Sequence, residues 1–286
     1  MEFVKLQGTG NDFILVEADG LVRNWPSLAV DMCDRHLGIG ADSLLLVRLS
    51  DKADFRMQTF DADGSEAEIC GNGLRCLVRY AIEKGKIAPD TEEITVETAA
   101  GISRLKQLRD NEKITGFYAI MGEPRFSAAE IPLDLEKGAG ELVDINNIIG
   151  YRVNVEGLEL MLYMVSMGNP HAVFFSDKPV KDFALSSIGP LVEYLPLFPH
   201  RTNFEIARVI GTDSIEARVW ERGVGETMAC GSGACAIAVV SRILGYTGNK
   251  VSVRLPGGAL EVEYSDNGEV VLSGSAEIVF EGKWPD

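Results

Sequence analysis

The sequence predicts an α+β protein of two pseudo-symmetric domains that arose by internal duplication, each with a mixed sheet wrapped on a central helix. Three observations lead to this prediction. A cysteine followed by a glycine-rich tripeptide occurs twice, an apolar helix pattern follows each copy, and short strand patterns surround both helices.

The repeated segment is the first of these observations. Residues 70–73 read Cys-Gly-Asn-Gly, and residues 230–233, which lie 160 positions later, read Cys-Gly-Ser-Gly. The same or nearly the same offset relates further pairs of residues: Phe60 and Trp220, Asp61 and Glu221, Glu66 and Glu226, Ser43 and Asn203, and Asn11 and Asn169. Ordered matches at a near-constant spacing indicate a duplicated unit.

The residues after each cysteine predict a helix. Leu74, Leu77, Val78 and Ala81 recur at helical spacing in a segment that ends near Gly85, and residues 234–240 are apolar nearly all round. Each cysteine is therefore expected at a helix N-terminus, where free N–H groups stabilise a thiolate or a bound carboxylate. Two equivalent halves facing each other would bring both thiols to one cleft.

The remaining patterns predict the other elements and the domain boundaries. In the first half, strands are expected at 3–6, 13–16, 44–47 and 55–60, a hairpin at 94–98 and 102–108, and a helix from Ser27, as its cap, to Leu37. In the second half, strands are expected at 151–155, 158–165, 172–175 and 215–220, a helix near 185–194, and hairpin turns at 256–258 and 266–268. Residues 127–150 look irregular and are expected to carry the crossover. The N-terminal half is placed at 1–120, with a last strand at 275–286 returning to it, and the C-terminal half at 121–274.

Composition excludes several classes of partner. The 286 residues carry a formal net charge of −16, which argues against binding to nucleic acid or anionic membrane surfaces but permits a small anionic substrate. No apolar run approaches the length of a membrane span, and the first residues do not resemble a signal peptide. The five cysteines are an odd number, so reduced thiols in the cytoplasm are expected.

Neither a metal nor a nucleotide cofactor is predicted. Cys230 and Cys235 are spaced like a loose zinc pair, but no matching pair of histidines or cysteines lies nearby. Phosphate-loop and Rossmann glycine patterns are absent from the sequence. Cys76 and Cys235 lie on another side of their helices and are expected to pack in the core.

Two thiols at helix N-termini suit the inversion of a carbon acid. One thiolate can remove a proton from one face of an α-carbon while one thiol donates a proton to the opposite face. The carboxylate held by the helix N–H groups stabilises the charge that develops. This chemistry requires no cofactor.

Several motifs resemble the diaminopimelate epimerase family along essentially the whole chain. They are residues 8–13 (Gly-Thr-Gly-Asn-Asp-Phe), 62–76 around Cys70, 167–171 (Met-Gly-Asn-Pro-His), 201–203 (Arg-Thr-Asn), and 221–235 around Cys230. The resemblance implies two pseudo-symmetric α/β domains and a cofactor-independent isomerase. Its reaction would convert LL-2,6-diaminopimelate into meso-diaminopimelate in lysine and cell-wall biosynthesis. The substrate would be this small diamino-dicarboxylate, and the chain could form a homodimer.

The resemblance also implies roles for individual residues. Cys70 and Cys230 would be the acid/base pair, assisted by His171 and Glu221, and which assistant serves which thiol is left open. The substrate-contacting positions would be Asn11, Ser43, Asp61, Gly71, Asn72, Asn169, Asn203, Glu221, Arg222, Gly231 and Ser232. Two of these depart from the family pattern, which has Gln in place of Ser43 and Asn in place of Asp61.

Two alternatives remain at this point. The chain could racemise another amino acid with the same fold and without pyridoxal phosphate, or it could be an amino-acid-binding or thiol redox protein without turnover. The related proline racemases carry a Cys-Gly-His signature that is absent here, and the phenazine-type isomerases lack the cysteine pair. Incorporation of deuterium at an α-carbon would separate a catalyst from a binding protein.

Overall fold

The structure, a computed structural model, describes residues 1–67, 70–88, 90–110 and 113–285. Glu68 and Ile69 of the motif around Cys70, and Asp286 of the expected last strand, lie outside the described residues. The chain divides into two compact units. Unit 1 comprises Met1–Ile120 and Ser273–Asp286, and unit 2 comprises Met121–Leu272.

The elements of the described residues are numbered in chain order. The strands are β1 (Glu2–Gly8), β2 (Asn11–Glu17), β3 (Ser43–Arg48), β4 (Phe55–Asp61), β5 (Glu66–Ala67), β6 (Glu93–Thr98), β7 (Gly101–Asp110), β8 (Lys113–Gly122), β9 (Glu141–Ile145), β10 (Ile148–Val155), β11 (Leu158–Ser166), β12 (Pro170–Phe175), β13 (Asn203–Gly211), β14 (Ser214–Glu221), β15 (Gly225–Thr227), β16 (Lys250–Leu255), β17 (Gly258–Tyr264), β18 (Val270–Gly274) and β19 (Glu277–Lys283). The α-helices are α1 (Trp25–Cys33), α2 (Gly71–Glu83), α3 (Leu185–Glu193) and α4 (Gly231–Ile243).

Unit 1 is a mixed sheet around α2. Strand β1 pairs antiparallel with β2, β2 parallel with β3, β3 antiparallel with β4, β4 parallel with β6, and β6 antiparallel with β7. Helix α2 packs against β1–β4, β7 and β19. Its apolar stripe, which includes Leu74, Leu77 and Ala81, is buried.

Unit 2 repeats this order of pairing around α4. Strand β11 pairs antiparallel with β12, β12 parallel with β13, β13 antiparallel with β14, β14 parallel with β16, and β16 antiparallel with β17. Residues 233–241 of α4 are buried all round, as their apolar character predicts. The predicted α+β class, with duplicated domains that each surround a central helix, is confirmed.

The first helix differs from the prediction. It begins at Trp25 and ends at Cys33, whereas the sequence pattern suggested Ser27 to Leu37. Asn24 is the N-cap, because its side chain accepts a hydrogen bond from the Ser27 backbone N–H at 3.4 Å. Asp34 ends the helix because its carboxylate accepts the N–H groups of His36 and Leu37.

The segment expected to be irregular contains a hairpin. Strand β9 pairs antiparallel with β10, which begins at Ile148. The connecting residues Asn146 and Asn147 both have positive φ, 55° and 66°. With this backbone the Asn-Asn pair forms a tight hairpin turn whose twist matches that of the two flanking strands.

The topology gathers the candidate residues at one edge of each sheet. In unit 1, Ser43 begins β3 and lies opposite Phe13 of the parallel strand β2 and opposite Asp61 at the end of β4. In unit 2, Asn203 begins β13 opposite His171 of β12, and Glu221 ends β14. Because parallel strands begin at the same edge, and their antiparallel neighbour ends there, these residues lie at the same edge of their sheet.

None of the helices in the described residues is long and apolar enough to cross a membrane.

Candidate active site

Cys70 is the N-cap residue of α2. Its backbone is extended, with φ −136°, and its Sγ accepts a hydrogen bond from the Gly73 backbone N–H at 3.4 Å. Space at Gly73 is limited, since a Cβ there would lie 3.1 Å from Leu45 Cδ2 and 3.4 Å from Cys70 Sγ. Gly71, the first helical residue, is half-buried. The local sequence therefore places the thiol beside the free N–H groups at the start of the helix.

Asn11 and Asn72 lie beside Cys70. The Asn72 side-chain amide donates to Asn11 Oδ1 at 3.2 Å, and Cys70 Sγ lies 4.0 Å from the same oxygen. The buried Arg75 guanidinium in turn donates to Asn72 Oδ1 at 2.7 Å. The structure thus brings together three of the residues predicted to form the site.

Asp42 also belongs to the group of side chains around Cys70, although the sequence pattern does not predict it. Its carboxylate accepts hydrogen bonds from the Asn11 side-chain amide and, at 3.0 Å, from the Asp12 backbone N–H. Because an ionised carboxylate can only accept, Asn11 must turn its NH₂ toward Asp42 and its carbonyl toward Cys70. The only sequence signal was its position next to Ser43.

Ser43 and Asp61 pair with each other. The Ser43 hydroxyl donates to Asp61 Oδ1 at 2.8 Å, across the β3–β4 pairing that sets these residues opposite each other. Burial raises the pKa of Asp61, and the hydrogen bond from Ser43 opposes this shift. The two departures from the family pattern are therefore direct neighbours.

Cys230 repeats the geometry of Cys70 in unit 2. It is the N-cap residue of α4, and its Sγ accepts a hydrogen bond from the Gly233 backbone N–H at 3.4 Å. Ser232 Oγ lies 3.5 Å from the same sulfur. Gly231 begins the helix, and a Cβ there would lie 2.9 Å from Leu272 Cδ2. Cys230 as a residue is 5% exposed, so it is more buried than Cys70.

Glu221 is the carboxyl group that accompanies Cys230. Its side chain accepts a hydrogen bond from the Thr227 hydroxyl and lies close enough to Cys230 to interact with it electrostatically. Burial raises the pKa of Glu221, and the hydrogen bond from Thr227 opposes this. Burial, followed by the negative charge of Glu221, raises the pKa of Cys230 well above its ordinary value, whereas Ser232 and the Gly233 N–H lower it. Glu221 therefore lies beside Cys230, the thiol of its own unit.

His171 is fully buried between two oxygen atoms. Its Nδ1 lies 2.7 Å from Glu205 Oε1, and its Nε2 lies 2.9 Å from Asn169 Oδ1. Glu205 was missed by the sequence reasoning, because a single acidic residue in the apolar strand β13 resembles an ordinary surface position. Burial raises the pKa of Glu205, and the neighbouring His171 opposes this.

The remaining predicted residues of unit 2 surround this group. The Asn169 amide donates to Ser232 Oγ at 3.4 Å. Asn203 donates to the Pro170 carbonyl at 2.9 Å and accepts the Arg222 backbone N–H at 3.0 Å. The Arg222 side chain is exposed, with Nη1 3.4 Å from the His200 carbonyl. Both polar atoms of the Asn203 side-chain amide are thus hydrogen-bonded to backbone groups.

Each unit therefore presents a thiol at the start of its central helix, with polar side chains around it. Such a helix start can bind a carboxylate through its free N–H groups, and the thiol can accept or donate a proton. Within residues 1–67, 70–88, 90–110 and 113–285, no group of three or more His, Cys, Asp or Glu side chains could hold a metal ion.

Sequence comparisons identify close relatives of this chain. A family model described as diaminopimelate epimerase matches residues 3–127 and 163–279. Curated proteins named diaminopimelate epimerase match over their whole length: that of Pelotomaculum thermopropionicum is 43% identical, covering 100% of this chain and 99% of the relative. That of Desulforudis audaxviator is 44% identical, covering 99% of both chains.

Solved structures share the fold at low identity. A phenazine biosynthesis protein of the PhzF family from Bacillus anthracis superposes with a TM-score of 0.70 at 18% identity, covering 99% of this chain and 98% of that one. A probable proline racemase from Agrobacterium radiobacter gives a TM-score of 0.70 at 13% identity, covering 99% of this chain and 92% of that one. The comparisons do not favour either alternative, a racemase of another amino acid or a protein without turnover.

Proposed function

The chain belongs to the diaminopimelate epimerase family and is an epimerase, and we propose that it converts LL-2,6-diaminopimelate into meso-diaminopimelate with two thiols, Cys70 and Cys230, and no cofactor. The product would serve lysine and cell-wall biosynthesis. One observation carries the proposal: in each unit a thiol caps the central helix, with Sγ 3.4 Å from the backbone nitrogen three residues later.

The reaction inverts one α-carbon by a transfer of two protons. One thiolate takes the α-proton from one face, and the other group, a thiol, gives its proton to the opposite face. The electron pair left on the α-carbon delocalises into the α-carboxylate, which then carries extra negative charge. The free N–H groups at the starts of α2 and α4 are donors suited to stabilise that charge.

Glu221 is the base that prepares Cys230. The carboxylate accepts the Cys230 proton, which leaves the thiolate to take the proton from carbon. Burial raises the pKa of Glu221 and so makes its carboxylate a stronger base toward the neighbouring thiol. His171, held by Glu205 and Asn169, assists the thiols from its buried position.

The polar residues around the thiols bind the rest of the substrate. Asn11, Asn72 and Asn169 offer amide donors and acceptors beside the helix starts. The exposed guanidinium of Arg222 can hold the distal carboxylate with two parallel hydrogen bonds. Ionised Asp61, which can only accept hydrogen bonds, favours the distal ammonium.

The test is a measurement of α-proton exchange in deuterated water. With LL-diaminopimelate, the wild-type protein is expected to form the meso isomer and to incorporate deuterium at the α-carbon. Cys70→Ala and Cys230→Ala should each abolish epimerisation, because each removes the group that exchanges a proton with the α-carbon on one face.

Two other buried cysteines supply matched controls. Cys76 and Cys235 lie in the same helices and are fully buried. Their replacement by Ala should leave epimerisation in place and lower the free energy of unfolding by about 1 kcal/mol. Near-normal turnover by Cys230→Ala would contradict the two-thiol mechanism, and failure of the wild type to exchange the α-proton of diaminopimelate would contradict the substrate.

A further inference from the structure

Glu193, the last residue of α3, is a buried carboxylate with no part in the proton transfers proposed above. It is 3% exposed. Its Oε2 accepts the Trp220 indole N–H at 2.7 Å, and its Oε1 accepts the Gly223 backbone N–H at 2.9 Å. Arg201 Nη1 adds a third donor at 3.3 Å. Burial of a carboxylate is costly unless hydrogen-bond donors surround it. The three donors, which come from separate positions in the chain, therefore indicate that the fold holds this carboxylate in place.

One of these donors belongs to the turn that carries Glu221 and Arg222. The Val224 N–H donates to the Glu221 carbonyl at 3.1 Å and closes the turn. Asn203 Oδ1 accepts the Arg222 N–H, and Glu193 accepts the next one, that of Gly223. Two successive N–H groups of the turn are therefore held by side chains from outside it.

The hydrogen bond from the Gly223 N–H to Glu193 is made from a backbone conformation that favours glycine. Gly223 has φ +79°, which L side chains rarely adopt, and a Cβ there would lie 3.3 Å from Arg201 Nη1. The turn thus closes directly on the ion pair of Arg201 and Glu193.

The donor on the other side of the turn is Trp220, which precedes Glu221. Its ring lies against Gly189 of α3, where a Cβ would approach the ring to 2.6 Å. This close packing brings the indole N–H to Glu193. One carboxylate therefore holds the residue before Glu221 and the residue after Arg222, with both proposed functional residues between these two points.

We propose that Glu193 is a positioning residue that fixes Glu221 against Cys230 and directs the Arg222 side chain. The inference rests on the proposed function, in which Glu221 exchanges a proton with Cys230 and Arg222 binds the substrate. A displacement of about 1 Å at a reacting group can cost roughly 100-fold in rate, so an anchor of this kind matters for catalysis as well as stability.

The experiment compares Glu193→Ala and Glu193→Gln with a matched control, Glu216→Gln. Glu216 is a partly buried carboxylate of β14 that also accepts a backbone N–H, that of Val180 at 3.2 Å, and contacts Arg208 at 3.4 Å. It lies at the other end of the strand from Glu221. Two quantities are measured on the full-length chain: kcat and KM for diaminopimelate well below each variant's Tm, and amide hydrogen exchange of residues 221–225.

Glu193→Ala is expected to lower kcat/KM by roughly 100-fold, with a fall in kcat and a rise in KM, and to accelerate exchange in residues 221–225. Glu193→Gln keeps one acceptor oxygen but turns an NH₂ toward a donor, so a loss of roughly tenfold is expected. Glu216→Gln should lower Tm without a change in kcat/KM or in exchange at 221–225.

Two results would overturn the proposal. One is a folded Glu193→Gln protein with kcat/KM within about twofold of the wild type, and the other is exchange at 221–225 that does not change in either variant. If the wild type does not epimerise diaminopimelate, the proposed function fails, whereas the hydrogen-exchange comparison still decides whether Glu193 holds the turn. If Glu193→Ala does not fold, Glu193→Gln carries both measurements.

Discussion

At the scale of single residues, the two thiols have similar helix caps but different side-chain neighbours. Cys70 lies near the carbonyl of Asn11, whereas Cys230 contacts the carboxyl group of Glu221. Burial raises the pKa of both Glu221 and Cys230, and the charge of Glu221 raises that of Cys230 further. Negative charge on either group therefore disfavours negative charge on the other.

Replacing Glu221 by Gln should lower the pKa of Cys230, because it removes a negative charge that disfavours the thiolate. Burial remains, so the pKa stays above its ordinary value. The pH midpoint for alkylation of Cys230 by iodoacetamide, followed by peptide mass spectrometry, should move to lower pH. At the same time kcat should fall by roughly 100-fold, since Gln cannot accept the proton.

Glu216→Gln is the control for this measurement and should leave the Cys230 midpoint in place. An alkylation midpoint that stays the same or moves upward in Glu221→Gln would show that Glu221 does not act on this thiol.

At the scale of elements, each central helix has a glycine three residues after its cysteine. Alanine favours a helix over glycine by about 1 kcal/mol, so propensity alone would predict stabilisation at these positions. The atoms around both glycines oppose this stabilisation, because they lie close to the position that a new Cβ would occupy. A Cβ at Gly73 would meet the flexible end of Leu45 at 3.1 Å, whereas a Cβ at Gly233 would meet Glu205 Oε1 at 3.0 Å.

Gly233→Ala is therefore expected to be more damaging than Gly73→Ala. The Glu205 carboxylate is buried and bonded to His171, so it cannot move without disturbing that contact. The free energy of unfolding from urea titration should fall by about 1–3 kcal/mol in Gly233→Ala, and kcat should fall with it. Gly73→Ala should cost less, because the Leu45 methyl group can rotate away. Equal or greater stability of Gly233→Ala would contradict this account.

At the scale of the whole molecule, the end of the chain completes unit 1. Strand β19 pairs antiparallel with β1, from Glu2 opposite Lys283 to Gln7 opposite Glu277. Phe3 of β1 packs edge-on against Phe280 with ring centroids 6.0 Å apart, and a Cβ at Gly282 would lie 2.6 Å from the Phe3 ring. The first and last strands are therefore one packing unit.

Deletion of residues 275–286 should unfold unit 1. The deletion removes the partner of β1 and exposes buried side chains such as Phe3 and Leu6. Burial of each such side chain stabilises the fold by about 1.5–3 kcal/mol, whereas the free energy of unfolding of a typical domain is only about 5–15 kcal/mol. Limited proteolysis is expected to cut within residues 1–120 first. Deletion of the residues after Trp284 is the control and should keep the wild-type Tm, whereas a protease-resistant unit 1 in the longer deletion would contradict the argument.

Much of the fold and part of the site could be predicted from local pattern. The helices after Cys70 and Cys230 were predicted because an apolar stripe and a glycine-rich start are both local signals. The start of α1 was wrong because Asn24 competes with Ser27 for the cap, and the pattern cannot rank two caps three residues apart. The sequence pattern does not predict the hairpin β9–β10, because its turn is Asn-Asn, whereas the strong hairpin signals are Asn-Gly and Asp-Gly.

The sequence by itself determined the duplication, the α+β class, and the two helix starts that bear Cys70 and Cys230, because periodicity and spacing are properties of neighbouring residues. Only the tertiary structure decided that Glu221 accompanies Cys230, that Asp42 orients Asn11, and that Glu205 holds His171 from 34 residues away. The physical reason is that a carboxylate's role depends on burial and on donors supplied by distant strands. An acidic residue in a linear sequence carries no mark that distinguishes such a buried partner from one that faces water.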